Sequence, residues 1–193
     1  MRIKRYLILG VLLSLLSAVL TVQAQGLKAP AWELKDGDGQ TISFPRNNDK
    51  HTILLFWATW CPFCKNLMPH IQSIVDEYGD DKVEVLAINV FEDGDPLEYL
   101  TERAYEFHHL PDGEPVAKIY GVQGTPGLFL VNPAGEVAFD LSRLQQAPKR
   151  VEGASKNWQR ATRIAPFWAA KLRQALDFSI AYTEHNKQTQ EKS

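Results

Sequence analysis

Apolar positions recur along this chain with three different spacings, and each spacing predicts a different element. From Ala31 to Phe44 the spacing is two: Trp32 and Leu34 precede an Asp-Gly-Asp-Gly stretch, and Ile42 and Phe44 follow it. That alternation around glycines predicts a β-hairpin. After a polar connection over Pro45–Lys50, Thr52–Trp57 is an unbroken apolar run, the pattern of a strand covered on both faces. Leu67, Ile71, Ile74, Val75 and Tyr78 then recur at helical spacing, and Gly79 stops the run. Lys82–Val90 reads as a second buried strand. Pro96–Phe107 predicts a helix with a stripe through Leu97, Leu100, Ala104 and Phe107, and Glu114–Tyr120 a short helix ending at Gly121. Gly127–Val131 and Glu136–Leu141 read as strands joined by an Asn-Pro-Ala-Gly turn.

The last third changes character. Arg143–Ser155 is polar, basic and turn-rich. From Trp158 onward, Ala161, Ala165, Trp168, Leu172, Ala175 and Ile180 form one helical face, with Pro166 as a kink or as the true first turn. The segment after Tyr182 is polar and predicts a frayed tail. Strands alternating with helices, and an antiparallel hairpin near the carboxyl end, give an α/β fold with a mixed central sheet flanked by helices.

Residues 1–24 stand apart. Arg2, Lys4 and Arg5 precede a sixteen-residue apolar run, Leu7–Val22, and Val22-Gln23-Ala24 offers small residues before a cut at Gln25. The run is shorter than the roughly 17–25 residues that span a bilayer. Cleavage is therefore the expectation, and a retained anchor the alternative. Either way the basic flank keeps the amino end inside and sends the rest out of the cytoplasm, to the periplasm or a similar space. The domain is expected over 25–185, with 186–193 as a polar tail. A length of 193 residues fits one domain with appendages. At 45% hydrophobic residues the chain can build a core, and a net charge of −2 gives no footprint for nucleic acid.

There are two cysteines, Cys61 and Cys64, which excludes a disulfide-stapled scaffold and a Cys-rich zinc module. They fall where a buried strand gives way to a helix. There the first sulfur meets unpaired N–H groups and the positive end of the helix dipole, which favour a thiolate. The second sits one turn further in, shielded, and Pro62 suits the first helical turn. An exposed, acidic thiol ahead of a shielded partner is what thiol–disulfide exchange requires. Three blander alternatives exist. Half a zinc site would need distant ligands, since His51, His70, His108, His109 and His185 are not at a paired spacing with the cysteines. A structural disulfide would close too small a loop to restrain the unfolded chain, and inert thiols do not suit an exported protein.

Phe56-Trp57-Ala58-Thr59-Trp60-Cys61-Pro62-Phe63-Cys64-Lys65, with Pro69 five residues beyond, resembles the thioredoxin active site and its kinked helix. Tyr120-Gly121-Val122-Gln123-Gly124-Thr125-Pro126 resembles the cis-proline loop of the same superfamily. The export segment, the early hairpin and an insert over Phe91–Gly113 resemble the extracytoplasmic branch of TlpA-, ResA- and DsbE-like proteins. That resemblance covers roughly residues 30–185. It implies a thioredoxin fold, with Cys61 as nucleophile and Cys64 as resolving thiol. It also implies a substrate surface made by Trp60, Pro62, Phe63, Thr125 and Pro126, where the Thr125 backbone pairs with an extended substrate segment.

By the same resemblance the activity is reduction of protein disulfides, for example in cytochrome c maturation. No cofactor is implied beyond the Cys61–Cys64 pair, and no metal. A membrane electron donor of the DsbD type would recharge a monomeric protein. A dithiol oxidase of the same fold is the alternative within that chemistry. A metal-binding or metal-delivery module using Cys61, Cys64 and a histidine is the alternative outside it. Two positions depart from the pattern: Leu55 stands where thioredoxin has a buried Asp, and Leu67 where ResA-like proteins have a Glu. Glu92 and His70 are the candidates left to accept the Cys64 proton. His108-His109 reads as solvated at a helix end, and Met68 as core. The basic stretch from Arg143 to Arg173 (Arg143, Lys149, Arg150, Lys156, Arg160, Arg163, Lys171 and Arg173 against Glu152) reads as a solvated face that could also steer an acidic partner.

Overall fold

Strand β3 (His51–Trp57) serves two cores at once, because successive side chains of a strand point to opposite faces. Ile53, Leu55 and Trp57 pack on one side with Leu67, Met68 and Ile71 of helix α1 (Pro62–Tyr78). Leu54 and Phe56 pack on the other with Trp32 and Phe44 of the amino-terminal hairpin. All seven residues of β3 are buried, which is why Ile53–Trp57 is wholly apolar, while His51 and Thr52 at its start bond Ser179 and Glu84. Each such Leu or Ile contributes about 1.5–3 kcal/mol of burial.

The computed structural model describes residues 26–144 and 157–190. The hairpin is β1 (Trp32–Lys35) and β2 (Thr41–Phe44), paired Trp32 to Phe44, with the two rings stacked at 5.2 Å. Asp36 Oδ1 closes its turn by accepting from the N–H groups of Asp38 and Gln40, and Gly39 adopts φ 81°. The main sheet runs β5-β4-β3-β6-β7. In it β4 (Val83–Asn89) is parallel to β3, and β5 (His108–Leu110) is parallel to β4. On the other side β6 (Gly127–Val131) and β7 (Val137–Asp140) run antiparallel, with a register shift between Leu130 and Val131. Helix α2 (Pro96–Glu102) precedes β5, α3 (Glu114–Ile119) precedes β6, and α4 (Asn157–Gln190) closes the fold.

Helix α4 lies along α1. Ala161, Ala165 and Ala169 permit close approach, Leu172 and Leu176 fill the core, and Arg173 pairs with Glu77 at 2.9 Å. The Tyr78 hydroxyl donates to Asp177 across the same seam.

Three features differ from expectation. The helix expected over Pro96–Phe107 stops at Glu102, because Ala104 turns left-handed at φ 51° and the Tyr105 N–H returns to the Leu100 carbonyl. This is a helix stop that glycine ordinarily makes, here with no glycine to announce it. The freed residues form β5, so the Phe91–Gly113 stretch adds both a helix and a sheet strand. Pro166 lies inside α4, one of its two expected placements, whereas α4 continues past Tyr182 to Gln190, where Lys187 reaches Asp49 at 3.2 Å. The predicted Glu136–Leu141 strand is shorter, since Asp140 caps a 3-10 turn over Leu141–Arg143. The 1–24 segment, Lys149, Arg150, Lys156 and the Trp158 side chain lie outside the described residues. Among the described residues no helix is long and apolar enough to cross a membrane.

Candidate functional site

The two cysteines meet at the carboxyl end of β3. Ala58 ends the strand segment, its carbonyl takes the Cys61 N–H at 3.2 Å, and Pro62 starts α1 without an N–H to satisfy. Cys61 therefore occupies the N-cap position, and its Sγ accepts the Cys64 N–H at 3.2 Å as a capping oxygen would. One turn on, the Cys64 thiol donates to the Cys61 sulfur, the two Sγ atoms being 2.6 Å apart. That separation leaves the pair poised for disulfide closure.

Their environments are unlike. The S–H donated by Cys64 brings the Cys61 pKa down to about 6, against the pull of its burial. The Thr125 side chain and the N–H groups of Cys64 and Phe63 help. Burial, then the neighbouring Cys61, push the Cys64 thiol well up. At pH 7 one sulfur is mostly thiolate and the other is a thiol. One expectation needs correction: Cys61 is 1% exposed, not open. Helix α1 and the loop before β6 enclose it.

In that loop the Thr125–Pro126 bond is cis, and the Thr125 carbonyl faces Cys61 Sγ at 3.5 Å. Trp60 is half exposed, its indole N–H fixed on the Phe91 carbonyl at 2.7 Å. Phe63 lies against Trp168 of α4 with ring centroids 6.0 Å apart. Thus Trp60, Pro62, Phe63, Thr125 and Pro126 all border the cysteine pair. A second cis bond, Phe44–Pro45, carries no sequence signal that distinguishes it from an ordinary turn.

The candidate proton acceptors fare differently. Glu92 is partly buried, which opposes ionisation. Even so, the Thr59 and Asn89 side chains and the backbone N–H groups of Thr59 and Gly94 hold its pKa at about 2. A carboxylate so held is a poor base for Cys64. Leu55 and Leu67 are fully buried beside the sulfurs and supply no base. Tyr99 of α2 is the neighbour that residue spacing missed. It packs on Trp57 at 5.6 Å and carries the Arg103 guanidinium 3.7 Å over its ring. Burial pushes its pKa up, Arg103 opposes, and the nearby Cys64 adds to the rise. Only an insert of known structure would have pointed to it.

His109 is not solvated: it sits half-buried in β5 with both ring nitrogens enclosed and unpartnered. Among the described residues, no group of three or more His, Cys, Asp and Glu side chains is arranged to hold a metal ion. The basic stretch is partly spent on internal pairs, Arg143 on Asp140 and Arg173 on Glu77.

The pattern of the AhpC/TSA family matches residues 25–140. The chain is 32% identical over 114 residues to the thiol-disulfide oxidoreductase ResA of Halalkalibacterium halodurans, covering 58% of this chain and 65% of that protein. It is 34% identical over 119 residues to ResA of Geobacillus thermodenitrificans, covering 61% of this chain and 68% of that one. The chain thus spans just under two thirds of the first relative and just over two thirds of the second. Among solved structures, a protein described as thiol:disulfide interchange protein DsbE from Chlorobium tepidum superposes with a TM-score of 0.53 at 28% identity, over 60% of this chain and 83% of that one. A hypothetical protein from Sinorhizobium meliloti, 21% identical, shares the fold over 81% of this chain with a TM-score of 0.59.

Proposed function

Since the chain belongs to the AhpC/TSA family of thioredoxin-like proteins, we propose that it is an exported thiol–disulfide oxidoreductase that reduces protein disulfides. One observation carries this reading: two sulfurs 2.6 Å apart, one held near pKa 6 and the other pushed well up, beside a cis-proline loop.

The Cys61 thiolate attacks one sulfur of a substrate disulfide. The substrate S–S bond breaks, a Cys61–substrate disulfide forms, and the departing thiolate takes up a proton. Cys64 then gives up its proton and attacks the Cys61 sulfur, which forms the Cys61–Cys64 disulfide and releases the second substrate thiol. The substrate gains two electrons and the protein loses two. Trp60, Pro62, Phe63, Thr125 and Pro126 form the surface on which the substrate lies, with the Thr125 backbone pairing with it as an added strand. The pair itself is the redox centre.

The setting is outside the cytoplasm, reached through residues 1–24, with cytochrome c maturation as one such task. A membrane dithiol donor of the DsbD type returns the electrons to a monomeric domain over 25–185.

The midpoint potential and an insulin-reduction assay test this together. A reductase gives turnover with excess dithiol and a potential near thioredoxin's, about −270 mV. A potential near −120 mV would make it an oxidase. No turnover would overturn the proposal.

A further inference from the structure

A groove of about 570 Å³ runs between the cis-proline loop and helix α4, with Phe63, which stands between the two cysteines in the chain, on its lining. Phe63, Val122, Thr125, Ile164 and Trp168 make an apolar floor, and Arg160 stands at its margin. It passes beside the nucleophile, because Thr125, which lines it, is the residue whose carbonyl stands 3.5 Å from Cys61 Sγ. An extended segment paired with the Thr125 backbone would lie along it.

The charge of this groove is unbalanced. Asp140 also lines it, but its carboxylate is consumed locally. One oxygen accepts from Ser142 N–H and Oγ, and the other pairs with Arg143 Nε at 3.0 Å. Arg160 is exposed and makes no ion pair or hydrogen bond with any described residue. A guanidinium unpaired among the described residues thus lines a largely apolar groove that passes beside the nucleophile. A guanidinium is a rigid, permanently charged fork suited to a carboxylate.

Resting on the reading above, we propose that Arg160 selects substrates: the preferred partner is an extended apolar segment carrying an Asp or Glu beside its reactive cysteine. An exposed ion pair of this kind is modest, and discrimination of about 3-fold per charge is expected.

The test uses the pre-reduced full-length protein and a series of single-cysteine peptides activated as 2-pyridyl disulfides, identical except for Glu, Gln or Lys on either side of the cysteine. Cys61 attacks the peptide sulfur and breaks its bond to the pyridyl sulfur, releasing thiopyridone, whose absorbance is followed. Cys64 then displaces the peptide as thiol, so each turnover oxidises one protein dithiol and reduces one disulfide. The expected second-order rates fall in the order Glu, Gln, Lys, about 3-fold per step at low salt. The spread shrinks at high salt. In Arg160→Glu the order reverses, and in Arg160→Gln it flattens. Arg163→Glu, an equally exposed change on the same helix outside the groove, keeps the original order.

Equal rates across the series, or an order that survives Arg160→Glu, would overturn this proposal alone. No reaction with any peptide would overturn the oxidoreductase reading and this inference with it.

Discussion

Thr59 gives both of its hydrogen bonds to Glu92: its N–H reaches one carboxylate oxygen at 2.9 Å and its hydroxyl the other at 2.5 Å. Asn89 Nδ2 and the N–H groups of Asp93 and Gly94 donate to the same carboxylate. The result is a clasp between the loop that carries Trp60 to Cys61 and the loop after β4. Neither residue touches a sulfur, yet both fix the approach to one.

Glu92→Gln should loosen that clasp. The depressed folded pKa of about 2 means the carboxylate stabilises the fold above its ordinary value and loses the contribution as pH falls toward 2. The expected loss in the variant is about 1–2 kcal/mol near neutrality, after allowing for solvent screening. Urea unfolding of both proteins at pH 7 and pH 3 checks this, with the gap narrowing at the lower pH. An unchanged gap would remove the ionised carboxylate from the explanation.

Alkylation of Cys61 should follow a titration with a midpoint about 6. Cys64→Ala removes the S–H donor, the largest cause of the shift, and the midpoint should climb toward the ordinary thiol range. Thr125→Val should raise it by less. Iodoacetamide rates between pH 4 and 10 measure all three, and a midpoint that Cys64→Ala leaves unmoved refutes the assigned cause.

The same thiol makes stability depend on pH. Between about 6 and the ordinary value of 9.0, the unfolded chain holds a proton on Cys61 that the folded chain has released. Stability of the reduced protein should therefore rise with pH across that window, and the oxidised protein should lack this contribution. Thermal unfolding of both redox forms at pH 6, 7 and 8 reads the difference.

Gly113→Ala is expected to cost about 1–3 kcal/mol. A Cβ there would sit 2.2 Å from Ile88 Cγ2 and 2.8 Å from the Asn89 carbonyl, and the Gly113 N–H already bonds that carbonyl at 2.8 Å. The glycine is needed for space, not for its backbone angle. Denaturant midpoints for Gly113→Ala and for the open-surface control Gly124→Ala separate the two.

Much of this molecule could be read from its residues, and the limits have physical causes. Thr52–Trp57 and Lys82–Val90 are legible because burial on both faces demands mostly apolar, β-branched-rich runs, even with Glu84 and Asn89 buried in the second. Cys61 and Cys64 are legible because the strand-to-helix junction gives the two sulfurs different surroundings by position alone. β5 is hidden because His108-His109-Leu110 is too short to show alternation, and because Ala104 takes the left-handed turn ordinarily signalled by glycine. The burial of Cys61 is equally hidden, since it depends on a loop sixty-odd residues away folding over the sulfur. Glu92 could be singled out as a carboxylate, but its five donors come from two separate loops and no spacing brings them together.

The sheet ends in β5, three residues long, and in β7, four residues long beside an irregular register. Long, flat strand edges invite other chains to pair and aggregate. Neither margin here offers a long edge to template such growth, which would suit the disulfide reductase proposed above. On that proposal, the Thr125 loop is the edge left for an extended substrate to pair with, beside the sulfur that would react with it.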